Sequence, residues 1–201
     1  MAGTACTFIR FAGCNLRCSY CDTRYAYEGG REISVDSLLD AVDSMGLPLV
    51  EITGGEPLIQ KGVHKVIGGL LNKGYRIMIE TNGSQPIQEL DPRVFVVMDI
   101  KTPGSSESAS MEFDNFKALK PEDNIKFVLT SEQDYFWARS MIYDFSLHKK
   151  CTVLLSTVFD ELEYKHLAEW ILRDKLPARL NIQLHKHIWP PFEMGGDGRG
   201  R

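Results

Sequence analysis

Three of the five cysteines lie close together near the start of the chain, at Cys14, Cys18 and Cys21. Three residues separate the first two cysteines, and two residues separate the last two. Thiolates grouped in this way bind zinc or an iron–sulfur cluster, and both normally take four protein ligands. A four-iron cluster held by these three cysteines would leave one iron open to a non-protein ligand. An open metal position is typical of a catalytic site.

Two non-enzymatic interpretations of the cysteines need a fourth ligand. An electron-transfer module with a closed cluster would take it from Cys6 or Cys151, each of which stands alone in the sequence. A structural zinc protein would need the same residues, because no closely spaced histidine pair follows at the distance typical of a zinc finger. Of these two interpretations, the structural zinc site is the weaker, because too few ligands are available to close it.

Composition narrows the choice of partners and compartment. The net charge is −4 and the sequence contains no long basic run, so we expect no binding to nucleic acid through its phosphates. No apolar run is long enough to span a bilayer, and no signal-peptide core begins the sequence, so we expect no membrane association. An odd number of cysteines, five in all, fits a reducing compartment. We expect a soluble, cytoplasmic protein.

Seven apolar or β-branched runs alternate with helical patterns, which predicts a parallel sheet covered by helices. The predicted strands are 7–11, 49–53, 76–80, 94–100, 124–129, 152–156 and 179–184. Helices are predicted after Ser34 and over 61–72, 111–119, 133–145 and 162–172. An open doubly wound sheet and a partial barrel both fit this order. We expect one domain over 1–194, followed by a mobile glycine-rich tail over 195–201.

Five polar clusters follow predicted strands, where parallel sheets and barrels bind their ligands. They are residues 14–21, Gly54-Gly55-Glu56, Glu80-Thr81-Asn82, Asp99-Ile100-Lys101 and Gln183-Leu184-His185-Lys186. The carboxyl ends of the strands are therefore the predicted functional edge.

The cysteine spacing, with Tyr20 before the last cysteine, resembles the radical S-adenosylmethionine (SAM) superfamily, as does Gly54-Gly55-Glu56-Pro57. Within it, four segments resemble the 7-carboxy-7-deazaguanine synthases, and the likeness runs from about residue 7 to residue 189. These segments are Cys21-Asp22-Thr23, Glu80-Thr81-Asn82-Gly83, the run 99–105 and Gln183-Leu184-His185-Lys186. With this resemblance we predict an α/β fold in which mostly parallel strands form an incomplete TIM-like barrel with helices outside.

The resemblance implies that Cys14, Cys18 and Cys21 carry a [4Fe-4S] cluster whose open iron is chelated by SAM. A reduced cluster then cleaves SAM to a 5′-deoxyadenosyl radical, and SAM is regenerated after each turnover in this family. The SAM contacts that it implies are Tyr20, Asp22, Gly54, Gly55, Glu80, Asn82, Asp99 and Lys101. It also implies a Mg²⁺ ion on the Thr23 hydroxyl.

The implied substrate is 6-carboxy-5,6,7,8-tetrahydropterin. Hydrogen abstraction from C6, ring contraction and loss of ammonia give 7-carboxy-7-deazaguanine, a step toward queuosine and other deazapurines. Its expected contacts are Arg10, Thr53, Gln183, His185 and Lys186.

The family further implies a homodimer and an electron donor such as flavodoxin or ferredoxin. It usually carries an upstream Gln-Gly-Glu-Gly segment that contacts the pterin, which is absent before Thr7 here. Cluster and SAM binding are expected without it.

Structural roles compete with several of these assignments. The glycine pair could form a plain tight turn, and Glu80 and Asn82 could cap a following helix. Asp99 and Lys101 could be a buried ion pair, Thr23 a loop hydroxyl bonded to backbone and Arg10 a solvated edge charge. A second enzyme class, the activating enzymes that install a glycyl radical on a partner protein, shares the cysteine spacing. The Thr23 and C-terminal motifs favour the synthase.

Overall fold

The structure, a computed structural model, describes residues 3–188 and contains one seven-stranded sheet. All neighbouring strands are parallel and lie side by side in chain order. The strands are β1 (Thr7–Phe11), β2 (Leu49–Gly54), β3 (Arg76–Thr81), β4 (Phe95–Lys101), β5 (Asn124–Leu129), β6 (Thr152–Thr157) and β7 (Arg179–Leu180).

The strand order shows that the sheet is a partial barrel. Right-handed crossovers between parallel strands place their connections on one face unless the strand order reverses. The order here never reverses, so a doubly wound sheet is excluded and the predicted incomplete barrel is confirmed. The helices are α1 (Val35–Met45), α2 (Val63–Asn72), α3 (Glu132–Asp144), α4 (Tyr164–Asp174) and α5 (Leu184–Ile188).

The hydrophobic core lies between the sheet and the helices. Every second strand residue faces this side, and Ile52, Ile79 and Phe127 are fully buried there. Leu70 of α2 and Leu167 of α4 are fully buried against the same core. Burying side chains of this size stabilises the fold by roughly 1.5–3 kcal/mol each.

The opposite, concave face of the sheet is polar. The charged or hydroxyl side chains that alternate with the core residues include Arg10, Glu51, Thr53, Glu80, Asp99, Lys101 and Lys126. The strands were predicted as apolar runs, but on this face they carry polar side chains. This face provides the barrel with its functional lining.

Local signals explain most helix boundaries. The Ser34 hydroxyl accepts a bond from the Ser37 amide at 3.1 Å and begins α1, as expected of an N-cap. The Ser131 hydroxyl caps α3 in the same way, one residue earlier than predicted. The chain leaves α2 through Gly74, whose φ of +86° is the left-handed conformation that favours glycine.

Two predicted elements are shorter in the structure than their predicted bounds. The last strand ends after Leu180, and residues 184–188 form α5, so the Gln183–Lys186 motif does not follow a strand directly. The alternating Leu180, Ile182 and Leu184 suggested a strand, but all three are 37–42% exposed and gain little from staying in the sheet. The helix predicted over 111–119 is only a short 3₁₀ turn, Phe113–Lys117.

Within residues 3–188, every helix is too short or too polar to cross a membrane. The predicted tail over 195–201 lies outside the described residues, and the single domain over 1–194 stays a prediction.

Phe127 tests where the core lies. We predict that Phe127→Ala lowers the free energy of unfolding by about 3–5 kcal/mol, because it empties a fully buried site. Leu172→Ala is the matched control, since Leu172 is 76% exposed and its loss should change stability by less than about 0.5 kcal/mol. Urea titration of both variants gives the comparison, and equal effects would contradict this core.

Candidate functional site

The cysteine loop begins where β1 ends and is fixed by backbone bonds to its neighbours. Gly13, at φ +101°, turns the chain out of the strand and donates its amide to the Ala26 carbonyl at 2.7 Å. The Glu56 amide donates to the Gly13 carbonyl at 2.8 Å, and the Gly55 amide to the Phe11 carbonyl at 3.0 Å. The loop therefore rests directly on the end of β2.

This contact explains the glycine pair. A Cβ on Gly54 would lie 2.3 Å from the Phe11 carbonyl oxygen, and one on Gly55 would lie 2.2 Å from that of Gly13. The same Cβ on Gly55 would approach Cys14 Cβ to 2.7 Å. Both positions therefore need glycine because two backbone segments of this chain touch there. No ligand is needed to explain the absence of a side chain.

The segment after β4 holds the other side of the loop. Ser19 donates its amide to the Ser105 carbonyl at 3.0 Å and its hydroxyl to the Gly104 carbonyl at 2.8 Å. The Arg17 amide donates to a Glu107 carboxylate oxygen at 2.7 Å. The cysteine loop thus spans the edge from β1 to the end of β4.

Arg17 stabilises the loop from within. Its guanidinium donates to the Cys14 and Leu16 carbonyls, both at 2.8 Å. It also lies 4.4 Å from the centroid of the Tyr27 ring, a cation–π distance. Leu16 is 3% exposed and packs into the core, which anchors the turn between the first two cysteines.

Cys14, Cys18 and Cys21 are free, partly buried thiols. The pKa of the Tyr27 phenol is raised by burial, by a hydrogen bond with Cys21 and by the charges of all three thiols. Within residues 3–188, no group of three or more histidine, cysteine, aspartate or glutamate side chains could hold a single metal ion. A four-iron cluster does not need such a point, because each thiolate binds a different iron. The soft donor set fits the cluster.

Glu56, which follows the glycines, joins the ends of β2 and β3. Its carboxylate is fully buried and accepts from the Asn82 amide at 2.6 Å, the Thr81 hydroxyl at 2.8 Å and the Leu58 amide at 2.9 Å. Burial raises the pKa of Glu56, and these donors counter that effect. Glu56 therefore has a structural role that the sequence motif alone did not identify.

Asn82 lies beside the first cluster cysteine. Its side-chain amide points to Cys14 Sγ at 3.8 Å and donates to Asn15 Oδ1 at 3.2 Å. Its oxygen accepts from the Ser84 amide at 3.0 Å and forms a turn. No helix lies between β3 and β4, so the helix-capping alternative for Glu80 and Asn82 is wrong.

Glu80 and Asp99 share a lysine in a charge cluster on the concave face. Lys126 Nζ pairs with Glu80, and it lies 3.3 Å from Asp99 Oδ2. Lys101 Nζ lies 3.1 Å from the same oxygen, which is the ion pair expected as the alternative role. Burial opposes ionisation of Asp99, but the two lysines hold its pKa below the usual value. Two positive and two negative charges balance here.

Glu51 lies deeper on this face and is 9% exposed. Its carboxylate accepts a weak bond from the Cys6 thiol at 3.8 Å. Burial, followed by repulsion from Glu80, raises its pKa to about 7, and Lys126 and Arg10 limit the rise.

Several buried oxygens on the functional side have no hydrogen-bond partner within the described part of the chain. They are Asp99 Oδ1, Ser156 Oγ and Gln183 Oε1. Asp99 and Ser156 lie on the concave face by strand register. Unsatisfied buried oxygens are costly, so a polar ligand at this edge would relieve a real penalty. SAM, with amino and hydroxyl donors, fits them.

Arg10 and Thr53 are neighbours in the β1–β2 register, which brings these two expected substrate contacts together. The Arg10 guanidinium is exposed and donates to the Gly54 carbonyl at 3.3 Å. It lies about equally far from the Phe8 and Tyr25 rings, at 6.0 and 5.8 Å. Arg10 remains available to an anion.

The cysteine loop also contacts α5. Lys186 Nζ lies 2.8 Å from Asp22 Oδ2, and the Thr23 hydroxyl donates to Asp22 Oδ1 at 2.8 Å. The Thr23 hydroxyl thus bonds a side chain and not the backbone. His185 lies on the same short helix and is only partly covered; this partial burial and the neighbouring Lys186 charge lower its pKa. Tyr20 donates to the Val128 carbonyl at 3.4 Å across the mouth of the barrel.

Sequence reasoning missed Glu51, Lys126 and Ser156. Each gave a signal, because a polar residue inside an apolar strand needs a partner or a ligand. Which residue it faces depends on strand register, and the sequence does not give that.

The model of the radical SAM superfamily matches residues 8–103. Three relatives carry the name 7-carboxy-7-deazaguanine synthase. The Chlorobaculum tepidum protein is 42% identical over 197 residues, and the alignment covers 96% of this chain and 90% of that protein. The Hyperthermus butylicus protein is 41% identical, and the alignment covers 92% of this chain and 84% of that protein. The Koribacter versatilis protein is 37% identical, and the alignment covers 96% of this chain and 92% of that protein.

Solved structures show the same fold at low identity. Streptococcus suis SuiB bound to S-adenosylmethionine is 14% identical, with a TM-score of 0.60 over 92% of this chain. SuiB bound to the precursor peptide SuiA has a TM-score of 0.62 over 90% of this chain, at 13% identity. This chain spans about half of the SuiB chains, 52% and 50% respectively. The likeness supports the fold alone.

Gly55 tests whether the glycine contact shapes the cysteine loop. We predict that Gly55→Ala sharply lowers the iron bound per chain after anaerobic reconstitution, because the new methyl group displaces the backbone at Gly13 and Cys14. Gly68→Ala is the matched control, since its Cβ would meet nothing within 4 Å. Iron analysis and circular dichroism give the comparison. A full cluster in Gly55→Ala would contradict this contact.

Glu51 should make stability depend on pH. An acid whose pKa is raised by folding stabilises the folded state while protonated and loses that contribution as pH rises from about 4.5 to about 7. We predict that Glu51→Gln gains about 2–3 kcal/mol relative to wild type across this window. Urea unfolding at several pH values measures it, with exposed Glu122→Gln as control. A constant difference between wild type and Glu51→Gln would contradict the burial of an acid here.

Proposed function

Because the chain belongs to the 7-carboxy-7-deazaguanine synthase family of radical SAM enzymes, we propose that it converts 6-carboxy-5,6,7,8-tetrahydropterin to 7-carboxy-7-deazaguanine and ammonia. The observation that carries this proposal is the cysteine loop, which presents three free thiols where it is held against the carboxyl ends of β2 and β4. The identity to synthases favours this reaction over a glycyl-radical activating enzyme or an electron-transfer module.

Bound together, a [4Fe-4S] cluster and SAM would supply the radical that removes a hydrogen atom from C6 of the pterin. Cys14, Cys18 and Cys21 would hold the cluster, and the loop contacts described above would keep their backbone in place. The SAM contacts that we infer are Tyr20, Asp22, Gly54, Gly55, Glu80, Asn82, Asp99 and Lys101. The unpartnered oxygen of Asp99 supports this set, and Lys126 would hold the Glu80 and Asp99 carboxylates in place.

Substrate binding is assigned to the concave face and to α5. Arg10 would pair with the pterin carboxylate, for which a guanidinium is the best protein partner, and Thr53 lies next to it in register. Gln183, His185 and Lys186 would close the site from α5. Thr23 would offer its hydroxyl to Mg²⁺, which takes few protein oxygens and completes its shell with water or substrate oxygens. Asp22, bonded to both Thr23 and Lys186, would couple the metal site to α5.

Further partners follow from the chemistry. The cluster would need a one-electron donor, such as flavodoxin or ferredoxin. The free cysteines support a reducing cytoplasm. Membership of the family supports a homodimer.

Product analysis tests the proposed reaction. Under anaerobic conditions, the reduced and reconstituted protein should convert the carboxytetrahydropterin to 7-carboxy-7-deazaguanine with one ammonia per product. SAM should not be consumed in proportion, and Mg²⁺ should raise the rate over a chelated control. Liquid chromatography with mass spectrometry measures both compounds. Deoxyadenosine without any deazapurine would contradict the proposal, and Cys18→Ala is the control without an intact cluster.

Cysteine variants test the three-ligand cluster. We predict that the double variant Cys6→Ala/Cys151→Ala keeps about four irons per chain and its brown colour, because neither residue lies on the cysteine loop. Cys18→Ala should lose most of the iron. Iron analysis and absorption near the thiolate-to-iron band measure both. Loss of the cluster in the double variant would show that a fourth protein thiolate is needed.

A further inference from the structure

The concave face of β1 and β2 carries a group of four side chains, here called the β1–β2 patch: Phe8, Arg10, Glu51 and Thr53. Strand register pairs Phe8 with Glu51 and Arg10 with Thr53. The patch is therefore two residues wide and two strands across. It has a cation beside the functional edge and an acid one step deeper.

Glu51 is a poorly satisfied acid. It is 9% exposed, and the Cys6 thiol that bonds it at 3.8 Å is a weak donor. Lys126, the nearby cation, pairs instead with Glu80 and Asp99. A carboxylate can accept about four hydrogen bonds, so Glu51 retains capacity for a ligand that brings donors.

Phe8 gives the patch an apolar surface. Phe8 is 54% exposed although it lies on a strand, and the Arg10 guanidinium lies 6.0 Å from the centroid of its ring. Flat heterocycles stack on exposed aromatic rings of this kind. The patch thus offers a stacking surface between a cation and an acid.

The substrate of the proposed reaction has the complementary order of groups. Its carboxylate lies at one end of a bicyclic ring system, on the reduced ring, and a planar pyrimidinone ring lies at the other end. There the ring N3–H and the 2-amino group form two adjacent donors, which match the two oxygens of a carboxylate as a guanidinium does. The two rows of the patch are about 6.6 Å apart along the strands, so the long Arg10 and Glu51 side chains can reach opposite ends of such a ring.

We propose that Glu51 is the specificity-determining residue that recognises the N3–H and 2-amino edge of the pterin, while the ring stacks on Phe8. This rests on the proposed function. Glu51 then selects 2-amino-pyrimidinone substrates by hydrogen bonding and takes no part in the radical step.

The test compares two substrates in two proteins. The two substrates are the carboxytetrahydropterin and its analogue with hydrogen in place of the 2-amino group. The two proteins are wild type and Glu51→Gln. In wild type, the analogue should have a kcat/KM about 10- to 100-fold lower, because a charge-assisted hydrogen bond is lost. Glu51→Gln should show a similarly raised KM for the full substrate, little discrimination between the two and an unchanged KM for SAM. Glu122→Gln, on an exposed loop, should behave as wild type.

The outcomes separate the two hypotheses. If wild type forms no deazapurine from the full substrate, both the proposed function and the role of Glu51 fail. If wild type forms product and Glu51→Gln discriminates between the substrates as strongly as wild type, the role of Glu51 alone is overturned. Glu51→Asp carries the test if the glutamine variant does not retain its cluster. It keeps the charge but withdraws the oxygens by one methylene, so it should keep part of the discrimination.

Discussion

The close approach of two backbone segments, Phe11–Cys14 and Gly54–Glu56, is the constraint on which the site depends. A side chain at Gly54 or Gly55 would overlap a carbonyl oxygen of the first segment. The amides of Gly55 and Glu56 bond that same segment, so the start of the cysteine loop takes its position from β2. The Glu56 carboxylate accepts hydrogen bonds from Thr81 and Asn82, which fixes the end of β3 relative to the same loop. Strand edges that are distant in sequence therefore act as one rigid frame.

Charge is arranged on this frame by depth. Near the strand ends, Lys101 and Lys126 pair with Asp99 and Glu80 on the concave face. A buried charge is tolerable only with such partners. Glu51 lies one step deeper, outside these pairs, where burial raises its pKa and the Cys6 thiol is a weak donor to it. The barrel lining therefore offers ionic contacts near the cysteines and hydrogen-bond acceptors below them.

Much of the fold was predictable because its signals are local. Segments rich in apolar residues, such as 124–129, gave strand bounds correctly, and Ser34 marked the start of α1. The end of the last strand was not predictable, since Leu180 and Ile182 alternate like strand residues yet are both exposed, and the strand stops after Leu180. The cysteine spacing and the Gly-Gly-Glu motif identified where the site lies. The pairing of Lys126 with Glu80 depends on register across 46 residues, and no local pattern contains it.

The central claim is that three cysteines hold a cluster with one iron left for SAM. The most direct measurement is the electron paramagnetic resonance spectrum of the reduced cluster in the Cys6→Ala/Cys151→Ala variant, recorded with and without SAM. A ligand on an iron changes the electronic environment of the cluster, so the spectrum is predicted to shift when SAM is added. An identical spectrum at saturating SAM would contradict an open iron at this loop.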